Sequence, residues 1–263
     1  MKLSSHRKKK SAHKPWFVRA FERDYLDRYQ HRSDDAAKKE AAFAVSIMKL
    51  AAGASVLDLC CGAGRHSRAL AASGYNVIGL DLSAALLREA RKIPVKGKGT
   101  LRYIRADMRR VPLADASVDG VVSMFTSFGY FDSERDNQRV LNEVARVLKP
   151  GAAFVMDYFN LQPTLANLVP ESRRKVGTTV LHEHRRFDPT TRRLTKTITA
   201  SDGARREEMC ESVRAYSPRE LKAMFAKAGL SVMKMYGDLA GAKFDSKRSP
   251  RCVVLARRKK DAA

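Results

Sequence analysis

One stretch constrains the fold of this chain more than any other. VLDLCCGAGRH (56–66) joins a short apolar run to a glycine turn and then to a helix-forming segment. The run is short and apolar throughout, so it reads as a buried strand. Gly62 and Gly64 let backbone approach a ligand with no Cβ in the way, and the following helix offers unpaired N–H groups. The next apolar run, NVIGLDL (76–82), carries Asp81 at its end. In a nucleotide-binding βαβ unit, an acid at that point accepts from both ribose hydroxyls. An ordinary strand-to-helix turn would leave Asp81 unexplained.

The same period change repeats along the chain. Further strands are predicted over 101–107, 117–125 and 152–159, with helices over 65–73, 83–92 and 134–149, the last stopped by Pro150-Gly151. Strands alternating with helices of this length imply a parallel, doubly wound α/β sheet. Two helices are expected before it. In the first, over 16–31, Phe17, Phe21, Tyr25 and Tyr29 recur on one face, and the second covers 35–51. Beyond 160 the pattern turns to Thr, Val and Arg runs over 178–187, 191–200 and 205–216, divided by Asp188-Pro189 and Asp202-Gly203. These read as three antiparallel strands. A helix over 218–228 and strands over 230–236 and 252–257 close the chain. The expected organisation is a basic disordered tail (1–14), N-terminal helices and binding core (15–160), an antiparallel insert (161–216), a closing helix with two last core strands (217–258), and a short tail (259–263).

The 263 residues are 44% hydrophobic, which excludes a disordered chain. No run reaches the ~18 apolar residues of a membrane span. Cys60, Cys61, Cys210 and Cys252 form neither a disulfide framework nor a paired zinc motif, which points to a reducing cytoplasm. Lys and Arg number 51 against 28 Asp and Glu, a formal charge of +23. Such a balance permits an anionic partner, including RNA, without proving one.

Two cofactor classes compete for the glycine loop. A dinucleotide loop needs a third glycine, but that position is Ser67. Asp58 stands before the loop, where it would repel a pyrophosphate and suit a cationic amine. The ligand should therefore carry a ribose and an ammonium but no phosphate, as S-adenosylmethionine does. The runs VLDLCCGAGRHSRALAASGYNVIGLDLS, RADMR, SMFTSFGYF and VLKPGAAFVMDYFN resemble the class I S-adenosylmethionine-dependent methyltransferases, over roughly residues 16–258. That resemblance implies a Rossmann-like, seven-stranded methyltransferase sheet, with N-terminal helices and an antiparallel β insert after the fifth strand. By the same resemblance, Asp58 neutralises the methionine amino group. Cys60, Gly62 and Gly64 wrap the methionine and ribose, Asp81 takes the ribose diol, and Leu82 lies against adenine. Asp107 would accept from the adenine amino group, with Met108 on the ring and Phe125 beneath the sulfonium. Tyr25 and Tyr29 fall where N-terminal tyrosines close over the cofactor.

A sulfonium is an activated leaving group, so alignment and desolvation of the acceptor carry most of the chemistry. A base is needed only for an acceptor that carries a proton. Tyr130, Asp157, His182, Glu183 and His184 are candidates, with Asp157 and Tyr130 preferred as catalytic residues. His182 and His184 share one strand face, but no third ligand is evident, so no metal is expected. The loop after the fourth strand lacks the sequence marks of amino-directed or cytosine-directed base methylation. This favours transfer to O or N of a small molecule, with the insert as its lid. The insert stretch 171–206 carries ten basic residues against four acidic ones. An RNA acceptor is therefore the alternative, and a non-catalytic S-adenosylmethionine- or RNA-binding protein a further one. The oligomeric state is not legible.

Overall fold

The computed structural model describes residues 15–21, 25–26, 33–203 and 206–260. The basic tail 1–14 and Tyr29 lie outside the described residues. So does most of the second half of the helix expected over 16–31, whose start is α1 (Trp16–Ala20). Helix α2 (Asp34–Met48) begins where the Ser33 side chain accepts from Ala36 N, with Asp34 and Asp35 in its positive first turn. Its alanine face, Ala37, Ala41 and Ala44, is buried.

The core then runs β1 (Ser55–Leu59), α3 (Arg65–Ala72), β2 (Asn76–Asp81), α4 (Ala84–Lys92), β3 (Thr100–Arg105), β4 (Val118–Ser123), α5 (Glu134–Val147) and β5 (Leu148–Phe159). After α6 (Leu161–Ala166) come β6 (Glu171–Val176), β7 (Thr179–Asp188), β8 (Arg193–Ser201) and β9 (Arg206–Arg214). Helix α7 (Pro218–Lys227), β10 (Leu230–Tyr236) and β11 (Arg251–Arg258) return to the core. The main sheet has seven strands in the order β10-β11-β5-β4-β1-β2-β3, and β6-β7-β8-β9 form a second sheet. In the main sheet β11 runs antiparallel to both neighbours, while the pairs from β5 to β3 are parallel. Alternate residues of β1 feed different cores, Leu57 and Leu59 on one face and Val56 on the other. Both faces are covered, as a parallel sheet requires. Among the described residues no helix is long and apolar enough to cross a membrane.

Three details depart from the sequence reading. The insert has four strands, because β6 pairs with β7 along its whole length; its Arg- and Lys-rich sequence gave no strand signal. Helix α5 stops at Val147, and β5 begins at Leu148, before Pro150-Gly151. Leu148 pairs with Val118, then the register shifts before Gly120 meets Ala153, and Gly151 has φ 79°. A proline is tolerated in a strand at such an irregularity. Strand β3 ends at Arg105, so Asp107 sits in the loop beyond it.

The insert is joined to the core at the loop after β4. Arg214 N donates to Gly129 O at 2.8 Å, and the Arg193 guanidinium donates to the carbonyls of Tyr130 and Phe131. Tyr158 Oη, from β5, donates to Arg214 O. A Cβ on Gly129, at φ 91°, would lie 2.8 Å from Arg214 O, so this junction requires glycine.

Candidate active site

The carboxyl ends of β1, β2 and β3 open on a cavity of about 230 Å³. Asp58, Asp81 and Asp107 all line it, although they stand on three separate segments. Cys60, Gly62, Leu82 and Met108 line it too, as do Phe125, Tyr25 and Tyr130. Gly64 and Asp157 do not.

Asp58 is 1% exposed. Ser67 Oγ donates to its Oδ2 at 2.5 Å, so the residue standing in place of a third glycine secures this carboxylate. Among the described residues no cation is within ion-pair distance of Asp58. Burial pushes its carboxyl above the ordinary range, and His66, Ser67 and Arg65 only partly oppose this. The site thus holds an unneutralised buried carboxylate, the feature that an ammonium ligand would satisfy.

Asp81 accepts from Gly62 N through Oδ2 and from Ser83 N through Oδ1, both at 2.8 Å. It therefore ties the glycine loop to the start of α4 while its carboxylate lines the cavity. Burial raises its pKa despite those donors. The loop itself turns through left-handed backbone at Cys60 (φ 63°), Gly62 (φ 56°) and Gly64 (φ 74°). A Cβ on Gly64 would lie 2.1 Å from Tyr103 Oη. Gly64 thus shapes the loop from behind. Cys60 Sγ lies 3.4 Å from Met108 Sδ, and burial holds its thiol well above the usual range, so it is no thiolate nucleophile.

Asp107 is already engaged. Arg109 binds it with its side chain, at 2.6 Å from Nη2 to Oδ2, and with its backbone N–H at 2.8 Å. Burial raises the Asp107 carboxyl, but these donors outweigh burial and lower it. Arg109 also pairs with Asp136 at 3.1 Å and stacks 4.2 Å over Phe131.

Asp157 stands near the carboxyl end of β5 but does not line the cavity. It is 1% exposed, Arg251 binds it at 2.7 Å, and its Oδ2 accepts from Phe125 N at 2.9 Å. Its carbonyl accepts from Thr126 N at 3.0 Å, and Arg251 reaches Thr126 Oγ1 at 3.0 Å. Phe125 and Thr126 both have positive φ, 60° and 58°. Consecutive non-glycine residues in that region are strained, by about 1–3 kcal/mol each. The Asp157–Arg251 pair thus braces this strained cavity floor.

The residue that sequence reasoning missed is His66. Its ring lines the cavity, is 6% exposed, and lies 5.8 Å from the Phe125 ring. His66 Nε2 is 2.7 Å from Glu40 Oε2, a carboxylate from α2. Burial raises the Glu40 carboxyl, but the His66 hydrogen bond and charge, with Arg65 and Arg251, bring it below its usual value. The GRH triplet was visible, but its partner Glu40 is distant in sequence and gave no signal.

The far end of the cavity is aromatic. Phe21 stacks on Tyr130 at 5.7 Å, Trp16 packs edge-on to Tyr130 at 4.9 Å, and Phe17 meets Phe131 at 5.3 Å. Ser83 Oγ donates to Phe21 O, which fastens the end of the α1 segment beside the cavity. His182 and His184 are not in the cavity wall, and Glu183 faces the opposite side of the insert. Arg214 and Tyr216 are not in the cavity wall either; they donate to Glu134 at 3.0 and 2.5 Å.

The sheet order, the glycine loop and the acids gathered at the carboxyl edge of β1, β2 and β3 define a class I methyltransferase fold. Residues 56–151 match the family model described as a methyltransferase domain. The CcbJ methyltransferase of Streptomyces caelestis shares the fold with a TM-score of 0.75 at 22% identity, over 92% of this chain and 98% of that one. The demethylmenaquinone methyltransferase of Clavibacter sepedonicus is 37% identical over 112 residues, 43% of this chain and 44% of that protein. The 2-phytyl-1,4-naphtoquinone methyltransferase of Nostoc punctiforme is 36% identical over 143 residues, 51% of this chain and 57% of that protein. The chain spans about half the length of the curated relatives it matches.

Proposed function

We propose that this protein is an S-adenosylmethionine-dependent methyltransferase acting on an O or N atom of a small molecule. One observation carries the reading: three carboxylates at the carboxyl edge of adjacent parallel strands meet in one cavity, and the most buried, Asp58, has no cation within ion-pair distance among the described residues. In this assignment Asp58 holds the methionine ammonium and Asp81 the ribose diol. Leu82 and Met108 pack on the adenine, and Asp107 shares its carboxylate between Arg109 and the adenine amino group. Cys60, Gly62 and Gly64 form the loop, Phe125 the floor, and Tyr25 the cover. When bound, the cofactor supplies a methyl group already activated by a sulfonium.

The chain's own residues then orient the acceptor and exclude water. Phe17, Phe21, Tyr130 and Phe131 favour a compact apolar or aromatic acceptor, and the insert over 161–216 supports this wall through Arg193. For an acceptor that must lose a proton, His66 is better placed than Asp157. It is the imidazole in the cavity wall among the described residues, and Glu40, 2.7 Å from its Nε2, orients the ring. Tyr130 is assigned to acceptor packing. Quinone methyltransferases among the relatives fit an acceptor of this kind. The four cysteines are free, which supports a reducing, cytoplasmic setting.

Calorimetric titration with S-adenosylmethionine tests the cofactor, and transfer of a labelled methyl group to a fractionated metabolite extract tests the reaction. Saturable 1:1 binding and a labelled small molecule are expected. A folded protein that binds no S-adenosylmethionine overturns the reading.

A further inference from the structure

The insert brings together a second cluster of chemistry-bearing side chains, apart from the cavity. Strand β7 alternates, with Leu181 and Glu183 buried on one face and His182 and His184 on the other. The inner face is an ion-pair network in which Glu183 meets Arg174, Arg185 and Lys196. The outer face is different. Antiparallel pairing places Glu171 of β6 directly opposite His184. His184 Nδ1 is 3.2 Å from Glu171 Oε1, and His182 Nε2 is 3.6 Å from Oε2. The two rings are 4.2 Å apart. One donor atom from each residue lies within 4.8 Å of the other two.

These spacings are those of a ligand set. Around a tetrahedral ion with bonds of ~2.0–2.1 Å, donor atoms stand roughly 3.3–3.4 Å from one another. Both carboxylate–imidazole gaps are already close to that value. Two imidazoles and one carboxylate suit a divalent ion of borderline softness, whereas Mg²⁺ and Ca²⁺ prefer all-oxygen sites. The next strand adds no competing charge here, since Thr199 and Thr197 stand opposite His182 and His184. Arg173, opposite His182 on β6, is the nearby cation in register and tempers the affinity.

We propose that Glu171, His182 and His184 form a site for one divalent transition ion, with Zn²⁺ as its probe. The ion would tie β6, the edge strand, to β7. The site is independent of the methyl-transfer reading. The third ligand escaped the sequence because it comes from the neighbouring strand, whose pairing only the fold reveals.

The test uses the untagged full chain, stripped with a chelator and dialysed. Titration with ZnCl₂ should show one ion per chain, and MgCl₂ should show none. His182→Ala, His184→Ala and Glu171→Gln should each weaken Zn²⁺ binding at least tenfold. All three positions are at least partly exposed, so melts recorded with chelator should match the parent and show that each variant is folded. With Co²⁺ in place of Zn²⁺, the parent should show visible ligand-field bands that His184→Ala lacks. Equal Zn²⁺ affinity in the parent and a folded His182→Ala/His184→Ala double variant would overturn the site, because binding would then belong to other histidines or cysteines.

Discussion

Asp58 and Asp81 were legible in sequence because each closes a short apolar strand beside glycine or a cap. Burial raises both carboxyls, so their roles are separated by substitution. Burial holds the Asp58 carboxyl above its ordinary 3.8, so the free protein protonates it at higher pH than an exposed aspartate. Only the ionised form can neutralise an ammonium. Affinity for S-adenosylmethionine should therefore fall as pH drops through that raised value, with proton release on binding in the same window. Asp58→Asn should bind weakly and lose its own share of that pH dependence in calorimetry, leaving the share of Asp81. Asp81→Asn should weaken binding about 10- to 100-fold, since charge-assisted hydrogen bonds contribute about 1.5–3 kcal/mol. His66 and Asp157 part in a different way. His66→Asn should lower kcat at least tenfold for a protonated acceptor with little change in melting temperature. Asp157→Asn should chiefly destabilise, by about 3–5 kcal/mol, because it breaks a buried pair with Arg251. A kcat loss in Asp157→Asn with unchanged stability would restore it as the base.

At the scale of elements, strand–helix alternation announced the core because apolar period is a local property. The insert was less legible. Glu183 and its cations are arranged by cross-strand register, and β6 reads as a charged loop until it pairs. The strained turn at Phe125 and Thr126 had no signature either, because a β-branched residue at positive φ is held by distant groups, Asp157 and Arg251. The junction makes the dependence testable. Gly129→Ala places a Cβ 2.8 Å from Arg214 O at a backbone angle that disfavours side chains. It should cost about 1–3 kcal/mol and loosen the insert, read as faster amide exchange in β9. Glu183 offers the pH counterpart. Burial raises its carboxyl, but Lys196, Arg185 and Arg174 outweigh that and lower it. Its stabilising contribution is therefore present above the ordinary carboxylate value of 4.5 and is lost as pH falls through the lowered one. Glu183→Gln should flatten the acid limb of the stability curve and lower stability at neutral pH.

The whole molecule is defined by charge as much as by fold. A charge of +23 is compatible with RNA, but compatibility is all that it supplies. A channel built for a polymer would need an open path to the methyl donor. Here Phe17, Phe21, Tyr130 and Phe131 line the cavity, Phe21 stacks on Tyr130, and Ser83 Oγ donates to Phe21 O. That aromatic lining suits a compact acceptor, so RNA binding is expected to be a surface property, separable from turnover. Filter binding to total RNA should show weak affinity with a steep salt dependence, since each neutralised phosphate releases counterions. Added RNA should leave the steady-state rate on the small acceptor unchanged at physiological salt, where surface charges are screened beyond ~8 Å. Label from the methyl donor should stay out of the RNA. Incorporation into RNA that survives at high salt, with none into the metabolite fractions, would reverse the assignment and make the insert and tails a substrate-binding surface.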